Sequence, residues 1–106
     1  ELDTAYARGV QLLQKRKYAK ALYILNDYND RNTVVAHLSL DHNERAMELL
    51  ATMPKDAVTE YLRAIACSRL GRKAEGREHF LEACRLDGRM EYRGNLDPEI
   101  AELLKQ

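Results

Sequence analysis

The sequence predicts an all-α fold built from stacked helical hairpins. The tract from Arg8 to Leu25 reads as two amphipathic helices separated by a short basic turn. A second version of this helix–turn–helix pattern runs from Tyr61 to Ala83, with Gly71 at its turn. Two copies of one supersecondary pattern indicate an array of stacked helices and not a globular enzyme with a central pocket.

Small residues recur on the helix faces that would meet within each hairpin. Gly9 and Ala21 occupy these positions in the first copy, and Ala64 and Gly76 occupy them in the later copy. Because they carry little or no side chain, we expect the paired helices to approach each other closely there.

Length and charge limit the classes of function. The chain has 106 residues, which fits a single domain, and its 17 basic and 17 acidic residues give a formal net charge of zero. This balance argues against a general nucleic-acid binder, which normally carries a basic face. No apolar run approaches the roughly 18 residues that span a bilayer, so we expect no direct membrane insertion. The sequence starts at Glu1 and not at Met, so we expect it to be part of a longer protein, and it indicates no compartment.

Apolar periodicity and helix-ending residues predict four helices in the first half of the chain. They cover residues Asp3–Gln14, Tyr18–Tyr28, a third segment ending at Leu40, and Glu44–Thr52. Basic residues are expected at the end of the first helix, and the polar tract that follows the second helix is expected to form a turn. Asn32 or Thr33 is the expected N-cap of the third helix.

Three further helices are expected in the second half. Asp56 should cap a fifth helix that runs to about Leu70, Gly71 should form the turn, and the sixth helix should cover Lys73–Leu86. Gly88 is expected to end this helix in a left-handed conformation. The segment from Asp87 to Asn95 reads as a link. A capping helix over residues 97–105 begins with Asp97 as its cap and Pro98 in its first turn.

At these residues the chain resembles the tetratricopeptide repeat family, whose unit is a helix pair of 34 residues. Matching positions in the first and last units are Gly9, Leu12, Tyr18, Ala21 and Leu25, then Ala64, Leu70, Gly71, Gly76, Phe80 and Ala83. The resemblance implies a right-handed α-α superhelix of three hairpins, over residues 2–31, 32–54 and 55–88, followed by the capping helix.

The sequence departs from the family pattern in several places. Ala5 and Glu60 stand where the family has Trp, and no Pro lies near Gly88. The middle unit is short: aligning alanines gives 46 − 21 = 25 residues, and aligning Leu50 with Phe80 gives 80 − 50 = 30. We place the loss in the third helix. The tracts 31–36 and 93–99 also resemble repeat tracts of bacterial cell-envelope proteins.

The family resemblance implies a concave groove lined by the first helix of each pair. Here that wall would consist of Tyr6, Val10, Leu13, Val35, Leu38, Tyr61, Ile65 and Arg69. Such an apolar wall with aromatic anchors suits a helical or extended peptide. The alternative is that these residues are core, which is favoured for Leu13, Val35 and Leu38 and equally weighted for Tyr6, Tyr61 and Arg69.

Family members that bind chaperone tails carry a clamp of Lys, Asn and Arg on this wall. Tyr6, Val10, Val58 and Leu62 stand in its place, so we expect no chaperone-tail binding.

No catalytic, metal or cofactor constellation is apparent. His37 and His42 lie five residues apart across a helix end and are expected to face different ways, and no further ligand completes a zinc site. Cys67 and Cys84 would differ in height by roughly 12 Å along their hairpin, at about 1.5 Å per residue, too far for a disulfide. The polar turn Asn26–Asp30 lacks the glycine and closing glutamate of a calcium loop.

These observations predict a non-catalytic interaction or scaffold module that binds a protein or peptide in the concave groove. The alternative is a structural spacer, or a self-association or intramolecular docking segment of a larger, cell-envelope protein. DNA binding by a helix–turn–helix is disfavoured because no helix is strongly basic. The sequence leaves the oligomeric state open.

Overall fold

The computed structural model describes residues 3–105, which form eight α-helices and no β-strand. This confirms the all-α prediction. The helices are α1 (Thr4–Gln14), α2 (Tyr18–Leu25), α3 (Arg31–Ser39), α4 (Asn43–Leu50), α5 (Ala57–Arg69), α6 (Lys73–Leu86), α7 (Arg89–Asn95) and α8 (Pro98–Leu104). The chain divides into two compact units, Glu1–Leu49 and Leu50–Gln106.

One turn geometry ends α1, α3 and α5. In each case the second residue after the helix has a positive φ: 62° at Arg16, 61° at Asp41 and 78° at Gly71. The next amide then donates back to a carbonyl in the last turn, as Lys17 does to Leu12 at 2.9 Å. This is the Schellman motif, which satisfies carbonyls left unpaired at a helix end.

This recurring turn lies at the centre of three helix–turn–helix repeats. The left-handed residues are separated by 41 − 16 = 25 and 71 − 41 = 30 positions. These offsets equal the ones obtained by aligning the sequence. Only the third turn uses glycine; Arg16 and Asp41 adopt the same strained conformation with side chains present. The same turn geometry therefore recurs in all three repeats, although only the third has glycine at the left-handed position.

Aspartate caps begin four helices. Asp56 and Asp97 cap α5 and α8 as predicted, and Asp3 caps α1. The predicted cap of α3 was wrong. Asp30 fills that position and accepts from the Thr33 amide, while the Thr33 side chain completes a reciprocal capping box.

Several other boundaries differ from prediction. α2 ends at Leu25 and not at Tyr28, and α4 covers Asn43–Leu50 and not Glu44–Thr52. The shortening is not confined to α3, since α2 has 8 residues, α3 has 9 and α4 has 8, against 13 and 14 in α5 and α6. The missing residues are thus spread over three helices.

The first unit is held by close packing of its helices. α1 packs against α2, and α2 against α3. Gly9 is buried, and a Cβ at this position would lie 2.7 Å from Cδ2 of Leu25. Ala21 and Leu25 are fully buried. The close approach expected at Gly9 and Ala21 is therefore present.

The second unit has its own core between α5 and α6, closed by α7 and α8. Its cluster contains Tyr61, Ala64, Ile65, Phe80, Ala83, Met90, Ile100 and Leu103. Gly76 is buried, and a Cβ there would lie 3.0 Å from Leu103 and 3.2 Å from the Ala64 carbonyl oxygen. The capping helix thus contributes two of the core residues through its buried side.

The segment predicted as a link is the helix α7. Gly88 was expected to be left-handed but has φ −57° and precedes α7 as its cap residue. Gly94 and Asn95, at the end of α7, are poor helix formers, so the sequence did not predict a helix there. Its buried residues are Met90 and Gly94, and a Cβ at Gly94 would lie 2.5 Å from Cζ of Phe80. Packing against the Phe80 ring therefore specifies this helix.

Candidate functional site

The eight residues predicted to line a groove fall into three groups in the structure. Tyr6, Val10, Leu13 and Val35 are partly buried. Leu38, Tyr61 and Ile65 are core residues, each no more than 7% exposed. Arg69 lies on the surface of the second unit. Leu38, Tyr61 and Ile65 therefore belong to the core, and none of the three presents an exposed side chain to a partner.

Tyr6 belongs to a polar cluster that joins α1 to the start of α3. Its hydroxyl donates to Asp30 and accepts from the Asn32 amide at 2.7 Å. The Tyr28 ring lies edge-on at 4.9 Å, and its own hydroxyl donates to Asp3 at 2.6 Å. The hydrogen bond to Asp30 raises the pKa of Tyr6. Tyr6 thus has a structural role here.

The Tyr61 side chain is held within the second unit by a hydrogen bond and a cation–π contact. Its hydroxyl donates to Asp97 at 2.7 Å, and the Arg93 guanidinium lies 4.4 Å from the ring centre. Burial and the Asp97 carboxylate raise the pKa of Tyr61. On the surface, Arg69 makes a bidentate pair with Glu99 at 2.9 and 2.8 Å. These contacts tie α5 to α8.

The first unit contains an open groove with a volume of about 490 Å³. Its lining comes from α2, from the turn after α2 and from the α3–α4 turn: Ala19, Leu22, Tyr23, Asn26, Asp27, Leu40 and His42. Tyr23 is 89% exposed, the most exposed of the large hydrophobic side chains in residues 3–105. The groove therefore combines an apolar floor with an exposed aromatic ring and one carboxylate.

None of the eight predicted residues lines this groove. Tyr23 was missed because it lies off the apolar stripe of α2. Its position off the stripe indicated an exposed ring, but a single exposed aromatic residue does not by itself mark a binding surface.

His42, which lines the groove, and the buried His37 face each other, contrary to the prediction that they face different ways. Nδ1 of His37 and Nδ1 of His42 are 3.1 Å apart. The prediction was wrong because the left-handed turn at Asp41 folds the chain back, so that the His42 amide donates to the His37 carbonyl at 2.8 Å. His37 is 6% exposed, whereas His42 is exposed.

A buried carboxylate lies in the second unit. The Glu60 side chain is 3% exposed and bonds to Arg63 and to Nδ1 of His79, both at 2.6 Å. Arg63 also donates to the carbonyls of Leu50 and Met53, at 2.6 and 2.9 Å. Glu60 and Arg63 therefore form a hydrogen-bonded network that holds the segment before α5.

Neither metal-binding clusters nor a membrane-spanning helix is found between residues 3 and 105. No group of three or more His, Cys, Asp or Glu side chains in that range could hold a metal ion. No helix in it is long and apolar enough to cross a membrane. Cys67 and Cys84 are both free, and burial raises the pKa of each thiol.

Comparison with known proteins gives no relative: no family model matches the chain, and no curated protein or solved structure matches it.

Proposed function

We propose that this chain is a non-catalytic interaction module, similar to tetratricopeptide repeats, that binds a peptide segment of another protein. The observation that carries the proposal is the groove of the first unit, with Tyr23 at its edge. The recurrence of one turn at Arg16, Asp41 and Gly71 supports the helical-repeat part of the proposal.

The lining of the groove indicates the chemistry of the peptide. Leu22 and Leu40 are partly buried, so they offer an apolar surface for an aliphatic side chain. Asp27 is exposed and supplies the groove's only carboxylate among the described lining residues. A Lys or Arg next to the aliphatic anchor would complement it. We therefore propose a segment that combines an aliphatic anchor with a basic residue.

Peptide selection tests this function. Peptides from a random phage-displayed library would be selected on the full chain, and their affinities measured by fluorescence polarisation. Tyr23→Ser should weaken binding by tenfold or more, about the effect of losing an aromatic anchor. Asp27→Asn should weaken only those peptides that carry a basic residue next to the anchor.

The matched control is Tyr92→Ser, because Tyr92 is another exposed tyrosine, at 71%, on α7. This variant should bind as the parent chain does. Tyr61→Ala is unsuitable as a probe, since it would damage the core. Selected peptides whose affinity ignores both Tyr23 and Asp27 would refute the groove as the binding site.

A second candidate function is self-association or docking within a larger protein. It is favoured by three exposed apolar side chains of the second unit: Leu81 at 63%, Tyr92 at 71% and Leu96 at 69%. Sedimentation over a range of concentrations tests it. Self-association should appear with the parent chain and be lost on Leu81→Ser with Leu96→Ser, whereas a monomer at all concentrations would exclude it.

A further inference from the structure

His42 lines the groove, and its ring faces the ring of the buried His37. With the two Nδ1 atoms 3.1 Å apart, one ring must donate a hydrogen and the other must accept it. The hydrogen bond from the His42 amide to the His37 carbonyl keeps the two residues next to each other across the α3–α4 turn. The neutral pair therefore holds one proton between its facing nitrogens.

The far side of His37 decides which ring donates. Nε2 of His37 is buried and has no hydrogen-bond partner among residues 3–105. A hydrogen on this atom would be a buried donor without an acceptor, which is more costly than the bare lone pair of one unpaired acceptor. The favoured neutral arrangement thus has His37 donating from Nδ1 to His42, with Nε2 of His37 unprotonated.

An additional proton does not fit this arrangement. On His37 it must go to the buried Nε2 atom. On His42 it must occupy Nδ1, which then faces the Nδ1–H of His37, unless His37 moves its own hydrogen to Nε2. Every protonated form of the pair therefore either loses the hydrogen bond or buries an unpaired donor.

The surroundings of the pair also oppose a positive charge. Burial, His42 and Arg45 on α4 together lower the pKa of His37. Arg45 is paired with Glu48 at 3.0 Å. From α2 and the turn after it, Tyr23 and Asp27 line the same groove as His42.

At the other end of α3, Tyr6 of α1 is bonded to the Asp30 carboxylate, which caps that helix. The two acidic residues next to the pair in sequence are Asp41 and Glu44, and each already interacts with another group.

We propose that mild acid separates the two rings, moves His42 out of the groove wall and so weakens peptide binding. The pair is then a proton-operated switch that holds the groove in its binding form near neutral pH. The binding part of this inference rests on the proposed function, whereas the movement of His42 is a property of the free protein.

The free protein gives the first test. Proton–carbon NMR spectra of the imidazole rings, of the Leu40 methyl groups and of the Tyr23 ring would be followed between about pH 7.5 and 5. The Leu40 and Tyr23 signals should shift together with the His37 ring, at a midpoint below the ordinary value of about 6.5. In His42→Asn, whose amide oxygen accepts without titrating, the Leu40 and Tyr23 signals should stay constant.

Peptide binding gives the second test. Peptides selected at about pH 7.5 should bind the parent chain several-fold more weakly at pH 5.5, and bind His42→Asn equally at both values. His79→Asn serves as the control, because His79 pairs with Glu60 in the other unit. This variant should keep the pH dependence of the parent chain.

Two outcomes overturn the switch. One is that the Leu40 and Tyr23 signals do not change as the imidazole rings titrate. The other is that the affinity for peptide changes with pH equally in His42→Asn and in the parent chain. If no peptide binds at any pH the proposed function fails, while the NMR titration still decides whether His42 moves.

Discussion

The hydroxyl of Tyr61 donates a 2.7 Å hydrogen bond to Oδ2 of Asp97, and Oδ1 of the same carboxylate accepts from the Glu99 amide at 2.9 Å. One aspartate therefore both begins α8 and satisfies a tyrosine that is only 1% exposed. This relationship makes Tyr61 a structural residue of the second unit, because its one polar group is already used inside the protein.

Tyr61→Phe should lower the free energy of unfolding by about 0.5–1.5 kcal/mol, the usual net value of one hydrogen bond. Asp97→Ala should cost more, about 2–4 kcal/mol, because it removes the cap and leaves the Tyr61 hydroxyl unpaired. Urea denaturation measures both. Tyr28→Phe is the matched control, since its bond to Asp3 is exposed. Equal losses for the two Phe variants would contradict the structural role of Tyr61.

Gly94→Ala should destabilise the second unit by about 1–3 kcal/mol, the usual cost of overpacking a core. The new Cβ would lie 2.5 and 2.6 Å from Cζ and Cε1 of Phe80, a ring that is 5% exposed. Gly88→Ala is the control, because a Cβ there meets nothing within 4 Å and φ is negative. Thermal unfolding that treats the two variants alike would show that α7 does not pack on Phe80.

Glu60→Ala should cost about 3–5 kcal/mol, because it leaves the partly buried charge of Arg63 without its carboxylate. Glu82 provides the comparison. Arg85 and Lys55 hold the pKa of Glu82 at about 2, but its side chain is more accessible to solvent, at 21% against 3%. Glu82→Ala should therefore have a much smaller effect in denaturant titrations. Equal effects would mean that the Glu60 network adds no stability.

Stability should decrease on mild acidification, through His37. Burial, followed by His42 and Arg45, lowers the pKa of His37 below its ordinary value of 6.5. As pH falls through 6.5 the unfolded chain takes up a proton that the folded chain does not, so unfolding becomes easier. The loss levels off below the lowered pKa. Denaturation series at several pH values should show a smaller decrease in the free energy of unfolding for His37→Gln than for the parent chain. An equal decrease in both proteins would contradict the assignment to His37.

Much of the helical pattern could be read from local signals. Asp56, Asp97 and Pro98 mark helix starts through hydrogen bonds within a few residues, and the structure places them as expected. The cap of α3 was misplaced because Asp30, Asn32 and Thr33 are all good capping residues. The choice of Asp30 leaves Asn32 free to donate to Tyr6, a contact 26 residues away in sequence.

The sequence by itself determined the helical class, most of the helix starts and the small residues at which helices meet, because these depend on neighbours within one or two turns. Only the tertiary structure decided that α7 is a helix, that Tyr61 is core, and that His37 and His42 face each other beside a groove. Each of these depends on a contact or turn that local propensity does not encode: the Phe80 ring, the Asp97 carboxylate and the left-handed backbone of Asp41.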